Sequence, residues 1–169
     1  MKILRTVIDL IDTCNEWVGR IFQWAIVLLV ILVMIEAVAR QVFSSPLIWF
    51  TDMAYFFFGY YIMFGSVYTF LHGGHVAIDI FSDRLSEKWR HVLAIFCLVL
   101  LTSVFALAMI VAGTPMAIDS WLAGEQAHSF WRPPLAHFRT VIPLTFLLIF
   151  LQGVSSIIKH AAAIKGVKI

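Results

Sequence analysis

Four apolar stretches organise the chain: residues 21–43, 50–71, 92–113 and 140–158. Each approaches or exceeds the roughly 20 residues a helix needs to cross the hydrocarbon core of a bilayer. The first carries Gln23 near its start and Glu36 and Arg40 near its end. The second holds no charge beyond Asp52, the third is the most uniformly apolar, and the fourth places Pro143 in its first turn, where proline is tolerated. Ahead of them, residues 1–20 alternate Ile3, Leu4, Val7, Ile8, Leu10, Ile11, Trp17 and Val18 with charges at helical spacing. That pattern predicts an amphipathic helix lying on the membrane surface. It is not the pattern of a cleaved signal peptide, because Asp9, Asp12 and Glu16 interrupt what would be its apolar region. Between the second and third stretches, Gly73-Gly74 opens a segment in which Val76, Ile78, Ile80, Phe81 and Leu85 alternate with Asp79, Asp83, Arg84 and Lys88. This predicts a short amphipathic helix on the inner surface. The fold class expected is an all-α membrane protein, one domain over residues 1–169 with four transmembrane helices.

Composition supports this class. The mean hydropathy is +0.94, with 62% hydrophobic and 13% charged residues. A 169-residue chain cannot bury that much apolar surface within itself, so the surplus must face lipid or partner proteins. A formal net charge of +2, from dispersed basic residues, offers no surface for nucleic acid. Cys14 and Cys97 stand far apart without metal-ligand spacing, and no disulfide is expected.

The distribution of charge orients the spans. Lys2, Arg5 and Arg20 precede the first. Arg84, Lys88 and Arg90 separate the second and third, and Lys159, Lys165 and Lys168 follow the fourth. Only Arg40, Arg132 and Arg139 fall on the other side. The positive-inside bias therefore predicts that both termini are cytoplasmic. Residues 44–49 form a tight outer turn that makes the first two spans antiparallel neighbours, and residues 114–138 form the longest outer segment.

Ionisable residues inside or beside spans are costly and invite a functional reading. Glu36 and Arg40 share a helix face at i, i+4 spacing, and Asp52 lies just across the turn, where it can approach the same guanidinium. The group reads either as an ion pair stitching two helices of one subunit or as one that also pairs with a second membrane protein. No carboxylate at matching depth in the later spans supports ion translocation. The six histidines raise the alternative of a heme-bearing membrane anchor of an oxidoreductase, but none lies in a span interior, where such ligands are expected. His72, His75 and Asp79 could bind a metal only if the helix continued through Gly73-Gly74. No nucleophile–base pair, glycine-rich phosphate loop or zinc motif is present, so nothing supports an enzyme.

The ordered set Glu36, Arg40, Pro46, Trp49, Asp52, Gly65, His75 and Asp79, followed by Trp121, Glu125, Arg139, Pro143 and Gln152, resembles the small membrane subunit (DctQ-like) of tripartite ATP-independent periplasmic (TRAP) transporters. The chain departs from the pattern at Asp52, where Glu is commoner, and at Phe43, near which a Tyr is frequent. The resemblance implies a non-catalytic subunit of the bacterial inner membrane. It would scaffold a large multi-spanning subunit that binds sodium and substrate and moves as an elevator. A periplasmic binding protein would deliver an organic acid such as a dicarboxylate, keto acid or sialic acid. It further implies no cofactor in this chain, sodium in the large subunit, and Glu36, Arg40, Trp49, Asp52, His75, Asp79 and Arg139 as structural or subunit-interface residues.

Overall fold

The structure, a computed structural model, describes residues 2–73 and 86–165. The predicted inner-loop helix, with His75 and Asp79, lies outside the described residues. The helices are α1 (Lys2–Phe22), α2 (Trp24–Phe43), α3 (Phe50–Leu71), α4 (Glu87–Cys97), a π-helical segment (Leu98–Ser103), α5 (Val104–Ala123) and α6 (Ala136–Ile164). Among the described residues there is no strand, only an isolated bridge between Gln126 and Pro134. Four helical stretches are long and apolar enough to cross a membrane, α1–α2 and α4–α5 each counting as one.

Packing is the reverse of a soluble core. Where helices meet, the buried residues are largely small or polar: Ala25, Ala94, Ala106, Gly113, Ala117, Ser120, Thr145, Gly153, Ser155 and Ala162. Val30, Ile31, Met34, Val38, Val99, Leu101, Phe105 and Val111 point outward. Lipid tails are as apolar as leucine, so helices in a bilayer gain from close backbone approach rather than from hiding large side chains. Helix α6 is the hub and packs against α1, α3, α4, the π segment and α5. Helix α2 touches α3 and, more lightly, α1, and buries only Ala25 and Glu36.

Helix α1 is held against the bundle rather than standing clear of it. Ile8, Asn15 and Gly19 form its buried face, while Asp9, Thr13, Trp17 and Arg20 are exposed. Gly19 permits the approach to α3, since a Cβ there would sit 2.4 Å from Tyr68 Cβ. Phe22 then stacks on Phe64, with ring centroids 4.0 Å apart. The helix yields at Gln23, whose N–H donates to Gly19 O at 2.9 Å, and α2 starts at the next residue.

Two helices outrun the apolar stretches that announce them. Helix α5 continues through Pro115 to Ala123 and ends in Gly124, whose φ of +60° suits a residue without a Cβ. Helix α6 begins at Ala136, so Pro143 lies inside the helix and not in its first turn as the sequence pattern implied. The outer connection folds back on itself, with Leu135 N donating to Glu125 O at 2.9 Å, and this closure sets the helix start early. Buried neighbouring helices can supply partners for backbone groups that a proline frees.

Candidate functional site

The ion-paired side chains collect at the two ends of the bundle, called outer and inner after the orientation that the charge distribution predicts. At the outer end, Glu36 is buried on the last turns of α2. Its Oε1 accepts from Arg40 at 2.7 and 3.2 Å, and its Oε2 accepts from the Leu47 backbone N–H at 3.0 Å. One carboxylate therefore fixes both the helix end and the turn that follows. Ser44, in the left-handed region at φ +49°, reverses the chain, and Ser45 N returns a bond to Ala39 O at 3.1 Å. Trp49 stands at the entry to α3, partly exposed.

Asp52, which from the sequence could approach the Arg40 guanidinium, takes a different partner. It is buried in the first turn of α3 and accepts a 2.5 Å hydrogen bond from the Ser129 hydroxyl of the outer loop. Glu36 already engages Arg40 through two of its nitrogens, and the Arg40 side chain is otherwise largely solvent-facing. The outer loop is tied down again by a salt bridge from Arg139 on α6 to Glu125, and Trp121 Nε1 donates to Thr140 Oγ1 at 2.9 Å. Arg139 thus joins loop to helix within this chain.

At the inner end, α1 is bound to α6 by a chain of polar contacts. Asn15 Nδ2 donates to Gln152 Oε1 at 2.6 Å, and Gln152 Nε2 donates to Asp12 Oδ1 at 3.0 Å. Asp12 also accepts from Ser155 Oγ at 3.0 Å and pairs with Lys159. Glu16 bridges to Arg20 at 2.7 Å and approaches His72 Nε2 at 3.3 Å. His91 on α4 and His160 on α6 face each other with their Nδ1 atoms 2.9 Å apart. At that separation the pair fits a direct interhelical hydrogen bond, one ring donating and the other accepting.

Of these inner groups, the sequence singles out Gln152 through the family pattern and the histidines as candidate ligands, and it reads none of them as an α1–α6 tie. Asp12 registers there only as an interruption of an apolar pattern, and Asn15 does not register at all. The available signal was their spacing: Asp12, Asn15 and Gly19 fall at i, i+3 and i+7, a polar and small stripe on one helix face. Among the described residues no group of three His, Cys, Asp or Glu side chains could hold a metal ion. An open groove of about 540 Å³ runs between α3, the π segment and its continuation in α5, and α6. It is lined by Met63, Ser66, Leu101, Thr102, Phe105, Ala106, Thr145, Phe146 and Ile149, and no titratable group faces it. The lining carries the hydroxyls of Ser66, Thr102 and Thr145 but no cationic group to pair with an organic anion. The ion-paired groups at the two ends of the bundle are committed to ties within the chain.

Residues 29–163 match the family described as "Tripartite ATP-independent periplasmic transporters, DctQ component". No curated protein sequence matches the chain.

Proposed function

The chain belongs to the DctQ family of tripartite ATP-independent periplasmic transporter components, and from that membership we propose that it is the non-catalytic small membrane subunit of such a transporter. It associates with a large multi-spanning subunit in the bacterial inner membrane, both termini cytoplasmic. It scaffolds that subunit during sodium-coupled uptake of an organic acid delivered by a secreted binding protein. Substrate and sodium are bound elsewhere in the complex.

The observation that carries this reading is where the charged groups go. Glu36, Asp52, Glu125 and Arg139 at one end, and Asp12, Glu16 and Lys159 at the other, are spent on ties within the chain. Secondary transporters instead build substrate sites near the midplane from interrupted helices and polar groups. Helix α2, meanwhile, leaves most of its surface uncovered, an apolar wall available to a partner.

Reconstitution tests the proposal. The chain should copurify with the large subunit, and proteoliposomes holding both should take up substrate only with the binding protein and a sodium gradient. Uptake by this chain alone would refute the scaffold role. Reporter fusions at residue 169 and within residues 124–135 would test the orientation; a periplasmic C-terminus would contradict it.

A further inference from the structure

We propose that the inner half of the α1–α3 seam binds one phospholipid, phosphatidylethanolamine. Its zwitterionic headgroup would sit in a recess of balanced charge and one acyl chain in the groove that continues from it. The inference needs only the membrane-crossing helices and stands apart from the subunit reading above. The recess is open, about 500 Å³, and its lining includes Asp12, Glu16, Trp17 and Arg20 of α1, His72 at the end of α3, and Lys159 of α6. The groove is about 470 Å³, with Gly19 and Gln23 on one side and Tyr61, Gly65, Tyr68 and Thr69 of α3 on the other. The two belong to one seam. Asp12, Glu16, Gly19 and Gln23 recur at i, i+4, i+7 and i+11 along α1 and the residue that follows it. Tyr61, Gly65, Tyr68 and His72 repeat that spacing on α3.

Depth fits a lipid. The apolar helix α3 ends at Leu71, so His72 and the recess stand at the level of headgroups. Gly65 lies seven residues deeper, about 10 Å along the helix axis. A Cβ there would meet nothing within 4 Å, so the groove is open where a chain would pass. Trp17, 61% exposed, borders the recess with a ring of the kind that settles at headgroup level. Charge then selects the head. Two carboxylates and two cations cancel, so the recess lacks the excess of basic residues that gathers anionic lipids. The ties within it also leave hydrogen-bonding groups over. Arg20 meets Glu16 through Nε at 2.7 Å, which leaves its two terminal amino groups to donate to a phosphate. Glu16 Oε1 accepts from Arg20 and Oε2 lies 3.3 Å from His72 Nε2; a carboxylate accepts about four bonds, so lone pairs remain for a primary ammonium. Asp12 is already engaged by Gln152, Ser155 and Lys159. Phosphate beside Arg20 and ammonium beside Glu16 match the two charges of phosphatidylethanolamine. Phosphatidylcholine has no N–H to donate to Glu16, and phosphatidylglycerol has no cation.

Native mass spectrometry tests this on the purified full chain, released from detergent micelles that hold equal amounts of dioleoyl phosphatidylethanolamine, phosphatidylcholine and phosphatidylglycerol. Phosphatidylethanolamine should be retained about tenfold over either of the others. Arg20→Gln and Glu16→Gln should each lower its retention about tenfold. Gly65→Leu, which fills the groove and leaves the recess untouched, should lower it to a similar degree. The Glu16–Arg20 pair is exposed and Gly65 faces open space, so helicity by circular dichroism should not change in any of the three. Equal retention of the three lipids by the wild-type chain would overturn the proposal without recourse to a variant. Wild-type retention in Gly65→Leu would overturn it as well. So would displacement of the lipid by an equal concentration of glycerophosphoethanolamine, which carries the same head without chains and would make the recess a site for a soluble aminophosphate.

Discussion

Replacing Gly19 with alanine should detach α1 from the bundle, although the same change in a helix ordinarily stabilises it. A Cβ at Gly19 would lie 2.4 Å from Tyr68 Cβ, 2.5 Å from its Cδ2 and 2.7 Å from its Cγ. Carbon atoms in contact prefer about 3.5–4.0 Å, so the helices must separate by about 1 Å or more. Rotating the Tyr68 ring cannot relieve this, because the nearest atom is Tyr68 Cβ itself. Asn15 lies one turn back on the same face of α1, and its 2.6 Å bond to Gln152 does not survive such a shift at good geometry. Overpacking of this kind costs about 1–3 kcal/mol. Each interhelical hydrogen bond lost in a membrane bundle adds about 0.6 kcal/mol. Against this stands the gain of about 1 kcal/mol from alanine over glycine in a helix. The net expectation is a loss of about 0.6–2.6 kcal/mol.

Gly65 is the internal control, since it also lies within a helix and a Cβ there meets nothing within 4 Å. Gly65→Ala should be neutral or stabilising by up to about 1 kcal/mol. Unfolding in mixed micelles of rising dodecyl sulfate fraction, followed by circular dichroism, measures both. If Gly19→Ala and Gly65→Ala shift the midpoint equally and in the same direction, the close approach of α1 and α3 is wrong.

Three further outcomes follow from the outer end. Arg40→Ala leaves the buried Glu36 carboxylate with only the Leu47 N–H, so the yield of folded chain and of its complex should fall, with Arg40→Lys retaining more; equal yields by size-exclusion chromatography would refute this. Ser129→Ala frees the outer loop from Asp52, and hydrogen exchange over residues 126–134 should quicken while α5 and α6 stay protected; unchanged exchange would show the loop is held without that bond. Ser44→Gly relieves a left-handed serine at φ +49° and should stabilise the chain by about 1 kcal/mol in the same micelle titration; a loss of stability would contradict the turn geometry.

How much of this could be read beforehand depended on whether the signal was local. The four apolar helices and the Glu36–Arg40 pair are legible because periodicity and i, i+4 spacing act within one helix. The turn at Ser44–Trp49 is legible because the charges and Pro46 that flank it are close in sequence. The partner of Asp52 was not legible for the opposite reason. Its partner, Ser129, comes from 77 residues away, and a serine in a polar loop looks like any other. The π segment carries neither proline nor glycine to announce it. The attachment of α1 to α6 spans more than 130 residues, and nothing local in the sequence pairs Asn15 with Gln152.

Hydropathy finds where the chain meets lipid, yet the residues that decide how the helices meet one another are those it scores as weak or unfavourable. In a soluble domain the large apolar side chains would mark the contacts. Here Val67 and Phe64 are buried, but Leu100, Leu101, Val111 and Leu122 face outward while Gly19, Ala106, Ser155 and Gln152 sit at the joins. A chain of this kind carries its packing code in its small and polar positions. A change such as Leu101→Ala, on an exposed position, should matter less to the fold than Ser155→Leu, which would force a bulky side chain between α6 and Asp12. Its outward apolar residues remain free to be shaped by whatever lipid or subunit surrounds them.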